Sequence, residues 1–433
     1  MLRHHDQPVT DPDAQPEPNP QADGEPEAEP HPAGPLGDLR VLDLSTVLAG
    51  PGCARYLADF GADVIKIERP GSGDSVRDMG WRDPRDDVTL FWKMVSRGKR
   101  TIVLDLKTPD GLDVMARLCD TADVLVENLR PGKLEALGLV PDELIARNPR
   151  LVITRITGFG QDGPYASRPG FATLAEAMSG FAAINGEPDG GPLLPPIALT
   201  DEVTALVGAF ATMVAVHSGV GQVVDVNLFD SLFQLMGPLP AAHALLGYSQ
   251  PRLGSGIPYS VPRSTYRTAD DKWVAISTSA ESVARRVLDL VGVGTDERFH
   301  TFAGRVDHRA ELDDAVGRWI GARPLADVLT AFEEAHAAAA AVLTMADLAV
   351  DPHVVARGSI VEVDGTPMQG LIARLSRTPG RIRWSGRPLG ADTDEVLAEL
   401  AESPRFDPPD VSLSETNQRR NAGDGTGTGS TVR

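Results

Sequence analysis

The sequence predicts an α/β protein: a parallel sheet covered by helices on both faces, joined to a smaller unit of different pattern. Two observations carry this. Between Arg40 and Val226, short apolar runs alternate with helical segments, the rhythm of β-α-β units. After a Pro/Gly-rich stretch at 237–262, the run Lys272–Ser277 opens a second, helix-rich unit. At 433 residues the chain is too long for one ordinary domain, and 42% hydrophobic content suffices for a substantial core.

The elements follow in order. Arg40–Leu44 (RVLDL) reads as a strand, then a Gly50-Pro51-Gly52 loop, then a helix near Cys53–Phe60. Ala62–Ile67 (ADVIKI) and Thr101–Leu106 (TIVLDL) are the next strands, with a helix from Pro109 to Cys119 behind them. Val124–Glu127 and Leu151–Ile156 continue the series, separated by a helix at Pro141–Asn148 with proline in its first turn. Ala172–Val216 is helix-rich and broken by a Gly/Pro loop at Asn185–Pro196; Val223–Val226 returns as a strand. Near the end, Asp392 and Glu395 have capping-box spacing for a last helix.

The implied boundaries are a tail at 1–35, a large domain at 36–236, a linker at 237–262, a small domain at 263–348, a return to the large domain at 349–403 and a second tail at 404–433. The first tail carries nine prolines and eight acids, so it is expected to be disordered, as is the Gly/Thr/Ser-rich end.

Composition narrows the function. A formal charge of -20 argues against a general nucleic-acid or anionic-membrane binder. Two distant cysteines, Cys53 and Cys119, make no disulfide framework and suit a reducing cytoplasm. No uninterrupted apolar run reaches the ~18 residues of a membrane span; Val203–His217 reads as a buried helix. There is no Walker loop, no H-E-x-x-H, no His/Cys cluster at zinc spacing and no G-x-S-x-G elbow, so no metal is expected. The Gly50-Pro51-Gly52 loop sits where a dinucleotide fingerprint belongs, but Arg55 holds the third glycine position and spoils the close helix packing.

Two features suggest an anion site, the first of them at the carboxyl edge of the sheet. Arg69 follows the second strand, and Lys93, Arg97, Lys99 and Arg100 cluster before the third, with Lys107 after it. Asp201 precedes a strongly apolar helix. From its position it reads as an N-cap, and a helix N-terminus would keep its carboxylate ionised and able to act as a nucleophile.

GDLRVLDLSTVLAGPGCARYLADFG, ADVIKIERPGSGD, RGKRTIVLDLKTPDG, DVLVENLRPGKLEALGL, NPRLVITRITGFGQDGPY, SGFAAINGEPDGGP, GQVVDVNLFDS, LSRTPGRIR and LGADTDEVLAEL stand in order along residues 37–400. Together they resemble the family III CoA-transferases, the formyl-CoA and carnitinyl-CoA transferase group. The resemblance implies a Rossmann-like large domain built from both ends of the body, a smaller α+β domain between them, and an interlocked homodimer that cannot dissociate without unfolding. It implies movement of CoA from an acyl-CoA donor to a carboxylic acid through anhydride and aspartyl-CoA thioester intermediates, with Asp201 as nucleophile. The CoA contacts it implies are Val47, Leu48, Ala49, Arg69, Leu104, Lys107, Asn128, Leu129 and Arg130. A glycine loop at Gly254–Gly256 would cover the site.

The sequence departs from the family at Ala172, where many relatives carry an acid after the GPY motif. Glu176 lies one helical turn on; it either substitutes for that acid or is an ordinary exposed helical glutamate. Leu48, Phe171 and Ala172 suggest a less polar acyl pocket than one for oxalate. Two alternatives stand beside the transferase: a weakly active or non-catalytic partner subunit of a hetero-oligomeric CoA-transferase, and an acyl-CoA racemase. The racemase is disfavoured because no histidine occurs between His31 and His217.

Overall fold

The computed structural model describes residues 34–402; both proposed tails therefore lie almost wholly outside the described residues. Six parallel strands form the main sheet: β1 (Arg40–Asp43), β2 (Asp63–Glu68), β3 (Lys99–Val103), β4 (Val124–Glu127), β5 (Val152–Thr157) and β6 (Gln222–Asn227). Their order is β3-β2-β1-β4-β5-β6. The sheet is wound outward in both directions from the β1/β4 pair, so the loops leaving these strands diverge and open a crevice above their carboxyl ends. Every expected strand of this sheet is present, with ends shifted by at most three residues.

Four helices place the site. α1 (Ala49–Asp59) starts four residues earlier than its sequence pattern suggested, at the Gly-Pro-Gly loop, because proline fits the first helical turn. α2 (Pro109–Thr121) begins behind a Thr108 cap. α3 (Ala172–Met178) and α4 (Leu199–Ser218) bracket the expected Gly/Pro break. α1 and α4 pack closely because glycines remove side chains where they cross. A Cβ on Gly52 would lie 2.9 Å from the Ala205 Cβ, and one on Gly208 would lie 3.2 Å from the Cys53 sulfur.

α4 is long and apolar enough, by length and composition, to cross a membrane. Its inner face, with Ala209 and Ala215, joins the core formed by Cys53, Leu57, Val64 and Val152. Its outer face is not buried as the sequence pattern suggested: Phe210 is 71% exposed and Val214 55%.

The smaller unit has its own core, including Val274, Ile276, Leu312, Val316 and Phe332. It is built on an antiparallel sheet of β7 (Ser264–Arg267), β8 (Trp273–Ser277) and β9 (Ala338–Ala341), with β8 central. The stretch read as a linker contains a helix at Leu239–Leu246; Pro238 leads into it and Gly247 ends it in a left-handed turn. Chain-end residues then return to the large domain. β10 (Ile360–Val363) and β11 (Thr366–Gln369) form a hairpin, and α5 (Thr393–Glu402) packs on β3.

Two residues of the basic cluster at the start of β3, Arg97 and Arg100, hold these returning segments, and the other two pair within the large domain. The cluster is not the anion site expected. Arg97 pairs with Asp59 at 2.6 Å, both buried, and donates to the carbonyls of Gln369 and Gly370. Arg100 bridges Asp63 and Glu399. Lys93 pairs with Asp83 and Asp86, and Lys99 with Asp43. Each cation already has a carboxylate inside the protein, which no linear pattern reveals. The Asp392/Glu395 capping box does not form either. The Asp392 carboxylate accepts from the Thr101 N–H and the Arg387 guanidinium, and its own N–H donates to the Thr101 carbonyl.

Candidate active site

A cavity of about 420 Å³ opens at the β1/β4 switch point. Val47, Leu48 and Ala49 wall it from the β1–α1 turn; Asn128, Leu129 and Arg130 wall it from the loop after β4. Asp201 reaches it from the first turn of α4. A second cavity of about 290 Å³ lies beside it, lined by Arg69, Leu104 and Lys107 at the ends of β2 and β3. Thr46 lines both cavities. Asp201 and the nine residues expected to contact CoA therefore all line one of two adjoining cavities above the carboxyl edge of the sheet.

Asp201 is not the cap of α4. The cap position is Ala198, and Asp201 is the third helical residue. Its carboxylate accepts no hydrogen bond among the described residues, and its pKa is raised, not lowered, to about 6. Burial is the main cause, followed by the nearby Glu176 and Glu202 carboxylates. Glu202 is held by Arg55 at 3.1 Å and by the Tyr56 hydroxyl at 2.9 Å. Glu176 is only 4% exposed and accepts from the Thr200 hydroxyl at 2.8 Å. The reading of Glu176 as an exposed surface residue is thus wrong: the α3 turn that puts Ala172 on the cavity wall carries Glu176 inward against α4. Glu176 does not itself line the cavity, so it influences Asp201 through charge, not by contact with a ligand.

An apolar wall and two cations complete the larger cavity. Met79, Ile156, Phe171, Ala172 and Leu228 supply much of the apolar surface, in keeping with the expected low polarity. Arg130 and Arg168 both line it, and neither guanidinium has a carboxylate partner among the described residues. Arg168 is stacked 3.8 Å over the Tyr165 ring, which fixes its direction without neutralising it. Sequence reasoning passed over Arg168, which stands three residues after the GPY motif. In the second cavity, Arg69 is exposed and donates to Ser72 at 2.8 Å, while Leu104 is buried. This arrangement offers an apolar surface to a flat base and exposed cations to phosphates.

The Gly254–Gly256 turn lines neither cavity. Gly254 donates to the Gly186 carbonyl and lies against Glu187, and Gly256 lies near Arg309. Among the described residues no group of three His, Cys, Asp or Glu is placed to hold a metal ion, and no histidine lines the Asp201 cavity.

The model of CoA-transferase family III matches residues 36–393. The chain belongs to this family. As a family III CoA-transferase it is similar to a succinyl-CoA–D-citramalate CoA-transferase of Chloroflexus aurantiacus, with 39% identity covering 85% of this chain and 94% of that one. It is 36% identical to a succinate–glutarate CoA-transferase of Agrobacterium fabrum, over 84% of this chain and 96% of the relative. Among solved structures, a CAIB/BAIF family protein from Brucella suis superposes with a TM-score of 0.75 at 31% identity, covering 85% of this chain and 100% of the other. The enzyme therefore acts on CoA thioesters, with coenzyme A as part of its substrate.

Proposed function

We propose that this CoA-transferase moves CoA from succinyl-CoA to a second dicarboxylic acid, with Asp201 as the nucleophile. The observation that carries the proposal is Asp201 itself: a carboxylate in the switch-point cavity, free of protein hydrogen bonds and less acidic than an ordinary aspartate. Such a carboxylate is a stronger nucleophile than a solvated one, yet it is still ionised near neutral pH.

An Asp201 oxygen attacks the thioester carbonyl, and the C–S bond breaks to release CoA thiolate and leave a mixed anhydride. The thiolate attacks the aspartyl carbonyl, expelling the donor acid and forming an aspartyl-CoA thioester. The acceptor carboxylate attacks that thioester, forming a second anhydride and releasing the thiolate again. The thiolate then attacks the acceptor carbonyl and frees Asp201. No water is consumed, so the apolar wall formed by Ile156, Phe171 and Leu228 serves to keep water from the anhydrides. Arg69 and Lys107 suit the nucleotide phosphates, and Leu104 suits the adenine face.

Two observations support a dicarboxylate: the names of the two relatives above specify diacids or their thioesters, and Arg168 lines the same cavity with no carboxylate partner among the described residues. The exposed apolar face of α4, with Phe210 and Val214, together with Leu245 and Leu246, supports a dimer in which a second copy covers it. A hetero-oligomer is the second reading, because two similar chains of Chloroflexus aurantiacus are the alpha and beta subunits of a succinyl-CoA–L-malate CoA-transferase. Both cysteines are free and buried, which agrees with a cytoplasmic setting.

The test is to incubate the protein with succinyl-CoA, acetyl-CoA and butyryl-CoA, trap with hydroxylamine, and locate modified peptides by mass spectrometry. A hydroxamate at Asp201 with succinyl-CoA, absent from Asp201→Ala, is the expected result. Unmodified protein that still binds CoA would refute the nucleophile and favour the non-catalytic subunit.

A further inference from the structure

The β1–α1 turn at the cavity is held in a conformation that its sequence disfavours. Val47 has φ 71, in the left-handed region, where a β-branched residue is a genuine outlier. Such a conformation persists only where the surroundings impose it. Here they do so residue by residue. The Ser45 N–H donates to Asp43 at 3.1 Å, the Thr46 N–H to Asn128 at 2.8 Å, and the Val47 N–H to Asp74 at 3.1 Å. Asn128 also donates back to the Thr46 carbonyl at 2.7 Å. The next three N–H groups, of Leu48, Ala49 and Gly50, have no protein acceptor among the described residues; Leu48 and Ala49 line the Asp201 cavity.

Asp74 is anchored in turn. Its carboxylate pairs with Lys66 at 2.9 Å, its N–H donates to Glu68 at 2.9 Å, and Asp74 and Lys66 are both buried. Lys66 stands opposite Asp43 in the β1/β2 register and donates to the Ser45 carbonyl. Lys99, also buried, closes the set on Asp43 at 2.8 Å. A lysine inside a parallel strand costs desolvation energy that an apolar residue would avoid. What this one secures is the shape of the turn.

We propose that Asp74, fixed by Lys66, is a positioning residue for CoA transfer: it latches Val47 in its left-handed turn and so keeps the free N–H groups of Leu48 and Ala49 at the cavity wall, available to the oxyanion formed on the thioester. Rate should then depend on the latch more than substrate affinity does. This inference rests on transfer at Asp201.

The test is Asp74→Asn, Val47→Gly and the double variant, assayed with succinyl-CoA and followed by hydrogen exchange over residues 44–49. Asp74→Asn removes the charge that Lys66 anchors, leaving an amide free to turn away from the Val47 N–H, and should lower kcat about tenfold with KM nearly unchanged, which lies within the range that strain of this kind is worth. It should also speed exchange at Val47. Glycine adopts positive φ without strain, so Val47→Gly should restore much of the lost kcat in the double variant. If Asp74→Asn is insoluble, Asp74→Glu keeps the charge for Lys66 but displaces the oxygen from the Val47 N–H, and it reads the same effect. Unchanged kcat, a loss confined to KM, or a glycine that deepens the defect would overturn the latch. A wild-type protein that transfers no CoA would instead refute the reading on which it rests, while the exchange measurement would still show whether Asp74 holds the turn.

Discussion

Neutralising Asp201 should stabilise the protein at alkaline pH while abolishing its activity. The carboxylate accepts no protein hydrogen bond among the described residues, so Asp201→Asn removes a charge without breaking a contact. Burial and the Glu176 and Glu202 carboxylates raise its pKa to about 6 from a reference of 3.8. A raised carboxyl pKa means that the folded state holds the proton more tightly than the unfolded state. Stability from this group is therefore complete below about 4 and falls as pH rises toward 6, above which the full cost of the buried charge remains. Two units correspond to about 3 kcal/mol, which the partial exposure of the site reduces to about 2 kcal/mol. Urea unfolding of wild type and Asp201→Asn at pH 8 and pH 4.5 measures this. The variant should be more stable by about 2 kcal/mol at pH 8 and by well under half of that at pH 4.5, comparing each pair at the same pH so that other groups cancel. Equal gains at both pH values, or none at pH 8, would refute the assignment of a destabilised carboxylate.

Arg168→Met should lower kcat/KM for succinyl-CoA at least tenfold more than for butyryl-CoA, because only the former has a distal carboxylate to lose a charged partner; equal losses would refute a role in reading that group. Wild-type kcat/KM should rise with pH through about 6 as Asp201 ionises, with a profile that flattens above; a flat profile from pH 5 to 8 would contradict it. Arg97→Ala should cost about 3–5 kcal/mol in urea unfolding, since it strands the buried Asp59 carboxylate and releases the hairpin carbonyls. Gly52→Val should destabilise by about 1–3 kcal/mol, because the new side chain meets Ala205 across the α1–α4 crossing.

Much of this enzyme was legible along the chain. The β-α rhythm determined a parallel sheet, since strands joined by crossover helices must run the same way. Ordered blocks from Gly37 to Leu400 carried the family, and the ten residues they pointed to line two adjoining cavities along one edge of the sheet. Local chemistry was read where it depends on neighbours in sequence: the helix start at Pro109, and the Gly/Pro break before α4.

Charge was where local reading failed. A cluster of lysines and arginines looks like an anion site until the carboxylates of distant segments are brought beside it, and Asp59, Asp63 and Glu399 are placed by folding alone. The acidity of Asp201 reversed for the same reason. A helix N-terminus favours ionisation, but burial and two carboxylates, one from α3 and one from α4 itself, outweigh it. Glu176 looked like solvent-facing helix until α4 closed over it. The strained Val47 turn has no sequence signature, because valine is the wrong residue for it and the Asp43, Asn128 and Asp74 side chains that hold it come from distant segments or from neighbours that only folding aims at it. Backbone pattern and family are properties of order along the chain; pKa, ion pairing and strain depend on distance in space, and distance is what the tertiary structure decides.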